Sequence, residues 1–79
     1  MERNLVKEKL TEIFRDVFDD NSIEICDETT AADIEDWDSL THITLISEIE
    51  DGFGVKFSMK DVLQLKNVGE MMDLLAKIA

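Results

Sequence analysis

Asp38, Ser39 and His42 bring the three side-chain types of a serine hydrolase together within five residues. Hydrolysis needs those side chains to converge with a base held by its own partner and with an oxyanion pocket facing the nucleophile. Here two of them are neighbours and the third lies one helical turn further along the same segment. Such a trio has no independent base-orienting shell and no oxyanion pocket, and it is not read as catalytic. A second chemistry remains open at the same place. Asp38 and Ser39 stand where a polar stretch gives way to an amphipathic pattern, and both are good N-cap residues. Free N–H groups and the positive end of the dipole favour a phosphate-type anion at a helix start. A phosphodiester on Ser39 would therefore sit in a favourable field, while a plain helix cap is the simpler use of the same serine.

The other chemistry-bearing residues do not assemble into a site. One histidine and one cysteine cannot build a common structural zinc site. Asp36 and Asp38 begin with the alternation of a calcium loop, but its sixth position would be Thr41 instead of the glycine that makes the turn. No phosphate-binding glycine loop is present. Cys26 has no basic neighbour in sequence to activate it and is expected to be a buried, inert thiol. His42 is expected on the exposed side of its helix, against a partner or water.

The elements that must position Ser39 are helical. Val6, Leu10, Ile13, Phe14 and Val17 recur at three- and four-residue steps, with Leu5 and Phe18 widening the stripe, and predict a helix from about Asn4 to Phe18. Residues 19–38 lose that period. Ile23 and Ile25 pin an extended loop of about twenty residues, a length that is often functional in a compact domain. From Ser39 the period returns in Leu40, Ile43, Ile46, Ile49 and Phe53, with Leu45 beside them. This second helix is expected to run to about Asp51, with Gly52 as the residue that ends it. Ser58 and Asp61 form a capping-box pair for a short helix from Met59 to about Leu65. Asn67, with Glu70 three residues on, caps a last helix whose apolar face is Val68, Met71, Met72, Leu74, Leu75 and Ile78. The expected fold is all-α: a small four-helix bundle with a long first loop and a short third helix, residues 1–79 forming one domain.

Charge narrows the partners. Nineteen acids against eight bases give a formal net charge of −11, which repels nucleic-acid phosphates and anionic membranes. The same surface steers the chain toward basic patches on other proteins and disfavours self-association, so a monomer is expected. Glu48, Glu50 and Asp51 crowd the end of the second helix, where the dipole disfavours negative charge. That placement suggests a use outside the fold. The N-terminus has neither a basic region nor an apolar run, no stretch approaches a membrane span, and the lone cysteine suits a reducing cytoplasm.

Asp38-Ser39-Leu40, followed by Ile43, Leu45, Ile46, Ile49, Glu50 and Phe53-Gly54-Val55, resembles the core motif of acyl carrier proteins and their peptidyl carrier relatives. The similarity extends over nearly the whole chain, including the long first loop, the short third helix and the Asn67-Val68-Gly69-Glu70 opening of the last one. The resemblance implies that a phosphopantetheinyl transferase, with coenzyme A and magnesium, converts Ser39 to a 4′-phosphopantetheine phosphodiester. The arm's thiol then carries acyl or aminoacyl groups as thioesters, and Asp38 helps to dock the transferase and its metal ion. It further implies that Leu40, Ile43 and Ile46 lie on or beside the face that partners read, while Glu48, Glu50 and Asp51 meet basic patches on loading and transfer enzymes. The protein itself would be a non-catalytic carrier subunit with no bound metal. Departures from the housekeeping fatty-acid pattern are Asp36 where many such carriers have glycine, and Thr41 and Thr44 where acids are common. Trp37 looks more like carriers of specialised acyl- or aminoacyl-transfer pathways, and it equally suits a ring packed beneath the loop. The competing reading from another class is an unmodified acidic adaptor that binds a partner through the second helix.

Overall fold

The computed structural model describes residues 2–65 and 67–79, the side chains of residues 63 and 64 excepted. Four helices follow one another, α1 (Arg3–Val17), α2 (Ser39–Phe53), α3 (Met59–Gln64) and α4 (Val68–Ile78), with no strand among the described residues. The all-α reading, the long first loop and the short third helix match the sequence-based expectation.

Helix α1 packs against both α2 and α4. Val6, Leu10 and Phe14 recur every four residues and fall on one face, each fully buried. They meet Leu45 and Ile49 of α2, and Val68, Met71, Met72 and Leu75 of α4, in a single apolar cluster. Two residues assigned to the stripes face water instead: Leu5 and Ile78 are exposed, each at the edge of its helix face.

Helix α2 corrects the reading of its own apolar face. Leu45, Ile46 and Ile49 are buried, but Leu40 and Ile43 are 78% and 68% exposed. Successive three-residue steps drift around a helix. Nine residues at about 100° each place Leu40 on the opposite side from Ile49. Ile46, expected near the exposed face, is only 6% exposed and belongs to the core.

The end of α2 also differs. The helix continues through Gly52 to Phe53 and stops at Gly54, whose φ of 65° and ψ of 37° are left-handed. Gly52 lies inside the helix, against α1. A Cβ there would stand 2.9 Å from Ile13 Cδ1, the movable end of a side chain on α1. Lys9 of α1 completes that contact by donating to the Gly52 carbonyl at 2.9 Å, with its ammonium over the Phe53 ring.

The first half of the long loop is tied down on both sides, to α1 and to α4. Ile25 enters the core, and Arg15 Nε donates to the Ile23 carbonyl at 2.8 Å. Further on, the carbonyls of Thr29 and Asp27 accept from the Val68 and Gly69 N–H groups at 2.9 and 3.0 Å, and so satisfy two orphan donors at the start of α4. Gly69 is required for this approach, because a Cβ would lie 2.9 Å from the Asp27 carbonyl oxygen. Arg3 bridges Asp27 and Asp73 at 3.0 Å each, joining α1, loop and α4 at the surface. Cys26, expected inside, is exposed. Ile25 takes the inward position, so its neighbour turns outward.

Candidate functional site

The start of α2 is built by Asp38 and Thr41. Asp38 Oδ1 accepts from the Leu40 and Thr41 N–H groups at 2.9 and 3.0 Å, which fixes it as the N-cap. Thr41 Oγ1 reciprocates by accepting from the Asp38 N–H at 2.7 Å and donating to the Asp36 carbonyl at 2.7 Å. Threonine thus fills the place that glutamate or glutamine usually takes in a capping box. The position where housekeeping carriers carry an acid has an internal task here. The hydrogen bonds from the Thr41 and Leu40 amides hold the Asp38 carboxyl below its ordinary value, against a smaller opposing effect of desolvation.

Because Asp38 supplies the cap, Ser39 is left over. It is the first residue of α2, its side chain is exposed, and no hydrogen bond engages its Oγ among the described residues. Beside it opens a cleft of about 360 Å³ lined by Ala31, Trp37, Asp38, His42, Val62 and Leu65 as well as Ser39 itself. Most of that lining is apolar. A phosphodiester with a pantetheine arm fits this place on three grounds. The hydroxyl is free to be esterified, the positive end of a four-turn helix dipole favours the anion, and the cleft offers room along the arm.

Trp37 forms the floor. It is buried, meets Phe14 edge-on at 5.3 Å between centroids and lies 6.5 Å from Phe18. Its indole Nε1–H donates to His42 Nδ1 at 3.0 Å, and the two rings lie side by side along that bond, with centroids 6.0 Å apart and planes within 18° of parallel. His42 is therefore half-buried and hydrogen-bonded to the core, which corrects its expected place among water-facing residues. Sequence reasoning missed this bond, although a buried indole N–H normally finds a partner.

Leu40 and Ile43 project beyond the site as exposed apolar side chains, and Met59 at the start of α3 is 77% exposed. Of the three acids at the other end of α2, Glu48 and Asp51 are exposed. Glu50 is half-buried and its Oε2 accepts from the Phe57 N–H at 2.8 Å. That carboxylate holds the segment leading into α3, a use inside the fold that the sequence did not suggest. The residues expected to bear the arm and to meet partners thus separate into the free hydroxyl of Ser39, the cap Asp38, the exposed Leu40, Ile43, Glu48 and Asp51, and the inward-turned Ile46 and Glu50. No helix among the described residues is long and apolar enough to cross a membrane, and no group of three or more potential ligands is arranged to hold a metal ion.

An exposed serine at a capped helix start, on a helical bundle with a cleft beside it, is compatible with a carrier of covalently attached phosphopantetheine. Residues 8–75 match the family described as the phosphopantetheine attachment site. A solved structure is also similar: the solution structure of a holo acyl carrier protein from Geobacter metallireducens. It is 47% identical, with 91% of this chain and 83% of that one covered and a TM-score of 0.86. No curated protein sequence matches the chain. The chain belongs to the acyl carrier protein family, and its cofactor is covalent 4′-phosphopantetheine.

Proposed function

We propose that residues 1–79 form one carrier domain on which Ser39 is the attachment point, and that the protein presents acyl groups to separate enzymes in a fatty-acid-like or specialised acyl-transfer pathway. When bound, the prosthetic group supplies a terminal thiol that holds acyl groups as thioesters. Ser39 Oγ forms the new P–O bond to the coenzyme A pyrophosphate as the bond to 3′,5′-ADP breaks, and its proton passes to a base of the transferase. Asp38 holds the helix start rigid and offers its carboxylate beside the serine to the transferase and its magnesium. The chain contributes no catalytic group of its own. The carrier works in the cytoplasm, where coenzyme A is at hand.

The observation that carries this reading is the Ser39 hydroxyl, left free by the Asp38 cap and exposed beside an open cleft. Partner recognition follows from what surrounds it. Leu40 and Ile43 offer an apolar centre, and Glu48 and Asp51 an acidic edge for basic docking patches. A flexible arm then raises the effective concentration of the thioester at each partner's active site. Intact-mass measurement after incubation with a broad-specificity transferase, coenzyme A and magnesium tests the reading. One phosphopantetheine is expected on the wild type and none on Ser39→Ala. A wild-type protein that gains no mass would leave the unmodified acidic adaptor as the better account.

A further inference from the structure

Trp37 and His42 stand beside the attachment point, and the attachment chemistry uses neither. The indole is fixed from behind by Phe14 and Phe18. It can only donate, and it donates to His42 Nδ1. A ring nitrogen that accepts carries no proton, so the neutral imidazole bears its proton on Nε2. The bond lies along the edge of both rings, whose planes are within 18° of parallel, and this sets how the imidazole lies. His42 is thereby held in one tautomer and one orientation, with Nε2–H as a donor that no group among the described residues takes up.

Satisfying a buried indole does not by itself require this position. His42 lies three residues after Ser39, on the same face of α2, and lines the same cleft. Helix α2 contains no lysine or arginine, so the imidazole is its one nitrogen-bearing side chain. The Leu40 and Thr41 N–H groups already donate to Asp38 Oδ1 and the His42 N–H to the Asp38 carbonyl, so among nitrogen donors on this helix the imidazole is the side chain left to an anion on Ser39.

We propose that Trp37 and His42 form a positioning pair for the prosthetic arm, in which His42 Nε2–H donates to a phosphodiester oxygen on Ser39 and sets the arm over the cleft. This rests on Ser39 being the attachment point. A hydrogen bond to an ionised oxygen is shorter and stronger than a neutral one, so a single oriented donor can bias where a flexible arm leaves the surface. Trp37 acts through His42 and touches no part of the arm's phosphate.

The test compares apo protein with holo protein whose intact mass shows one added phosphopantetheine. Long-range proton–nitrogen NMR of the imidazole is recorded at about pH 8, together with phosphorus NMR of the holo form. The Nε2–H tautomer is expected in both forms, with the Nε2 resonance shifting on modification. His42→Phe, which keeps an aromatic ring without nitrogen, is expected to shift the phosphorus resonance and abolish cross-peaks between the residue 42 ring and the arm. His42→Gln, which keeps both an acceptor and a donor, is expected to leave the phosphorus resonance near its wild-type position. An apo spectrum showing the Nδ1–H tautomer overturns the proposal, as does an Nε2 resonance that is the same in apo and holo protein. So does a phosphorus resonance indifferent to His42→Phe in a variant with well-dispersed amide signals. Failure of the wild type to gain the added mass would instead overturn the reading of Ser39.

Discussion

Two helix starts in this molecule use the same side-chain chemistry and reach opposite results. At α3, Ser58 is the cap: its Oγ accepts from the Asp61 N–H at 3.1 Å while Asp61 accepts from the Ser58 N–H. The serine is consumed and the aspartate sits inside the helix. At α2 the order is reversed, with Asp38 as the cap and Ser39 following as the first helical residue. One carboxylate oxygen takes both amide donors there, so the serine hydroxyl has no structural task. The comparison teaches that availability depends on register. A shift of a single position separates a helix cap from a free hydroxyl, the one proposed here for modification.

The largest expected effect breaks the comparison outright. Ser39→Ala should abolish modification completely, whereas Ser58→Ala should be modified to the full extent. The cost of Ser58→Ala should appear in stability instead, about 0.5–2 kcal/mol for a lost cap, read from urea unfolding of both variants. If Ser58→Ala also loses modification while remaining folded, register is not what distinguishes the two serines.

The next effect sharpens the contrast along α2 itself. Ile46→Ala should cost about 2–5 kcal/mol of stability as a core truncation. Leu40→Ala and Ile43→Ala should stay within about 0.5 kcal/mol of the wild type while weakening binding to acyl-transferring partners. Calorimetric titration with a partner enzyme, paired with unfolding curves, checks both halves. Equal stability losses at positions 43 and 46 would contradict the two-sided helix.

The smallest effect concerns the cap carboxylate. The Asp38 amide hydrogen bonds lower its folded-state pKa, so its charged form stabilises the native state. That contribution is complete above the ordinary aspartate value of 3.8 and is lost as pH falls through the lower folded value. The stability difference between wild type and Asp38→Asn should accordingly be constant near neutrality and shrink below about pH 4. A difference that grows on acidification would contradict the capping role.

The fold was largely legible because each helix carries its own start signal and apolar period. Ser58 with Asp61, and Asn67 before Val68, mark their helices as plainly in sequence as in space. Register along α2 was less legible. Leu40, Ile43, Ile46 and Ile49 read as one stripe, yet three-residue spacing precesses around the helix and divides them between water and core. In sequence Gly52 reads as the residue that ends the helix, whereas the left-handed turn falls at Gly54. Cys26 turns outward by the same alternation that buries Ile25. At the site, Ser39 and Asp38 were visible as types at a helix start, but which of them capped was not. Either side chain can accept, and only the backbone geometry at Asp38 decides. The bond from Trp37 to His42 was hidden because it joins a loop residue to a helix residue, and no helical or strand period connects those two positions.

The most direct test is fragmentation mass spectrometry of the modified protein, which places the added group on one residue. Every fragment carrying the phosphopantetheine mass should contain Ser39, and fragments holding Ser22, Ser47 or Ser58 without Ser39 should be unmodified. Localisation to any of those three serines would contradict the account, whatever the total mass.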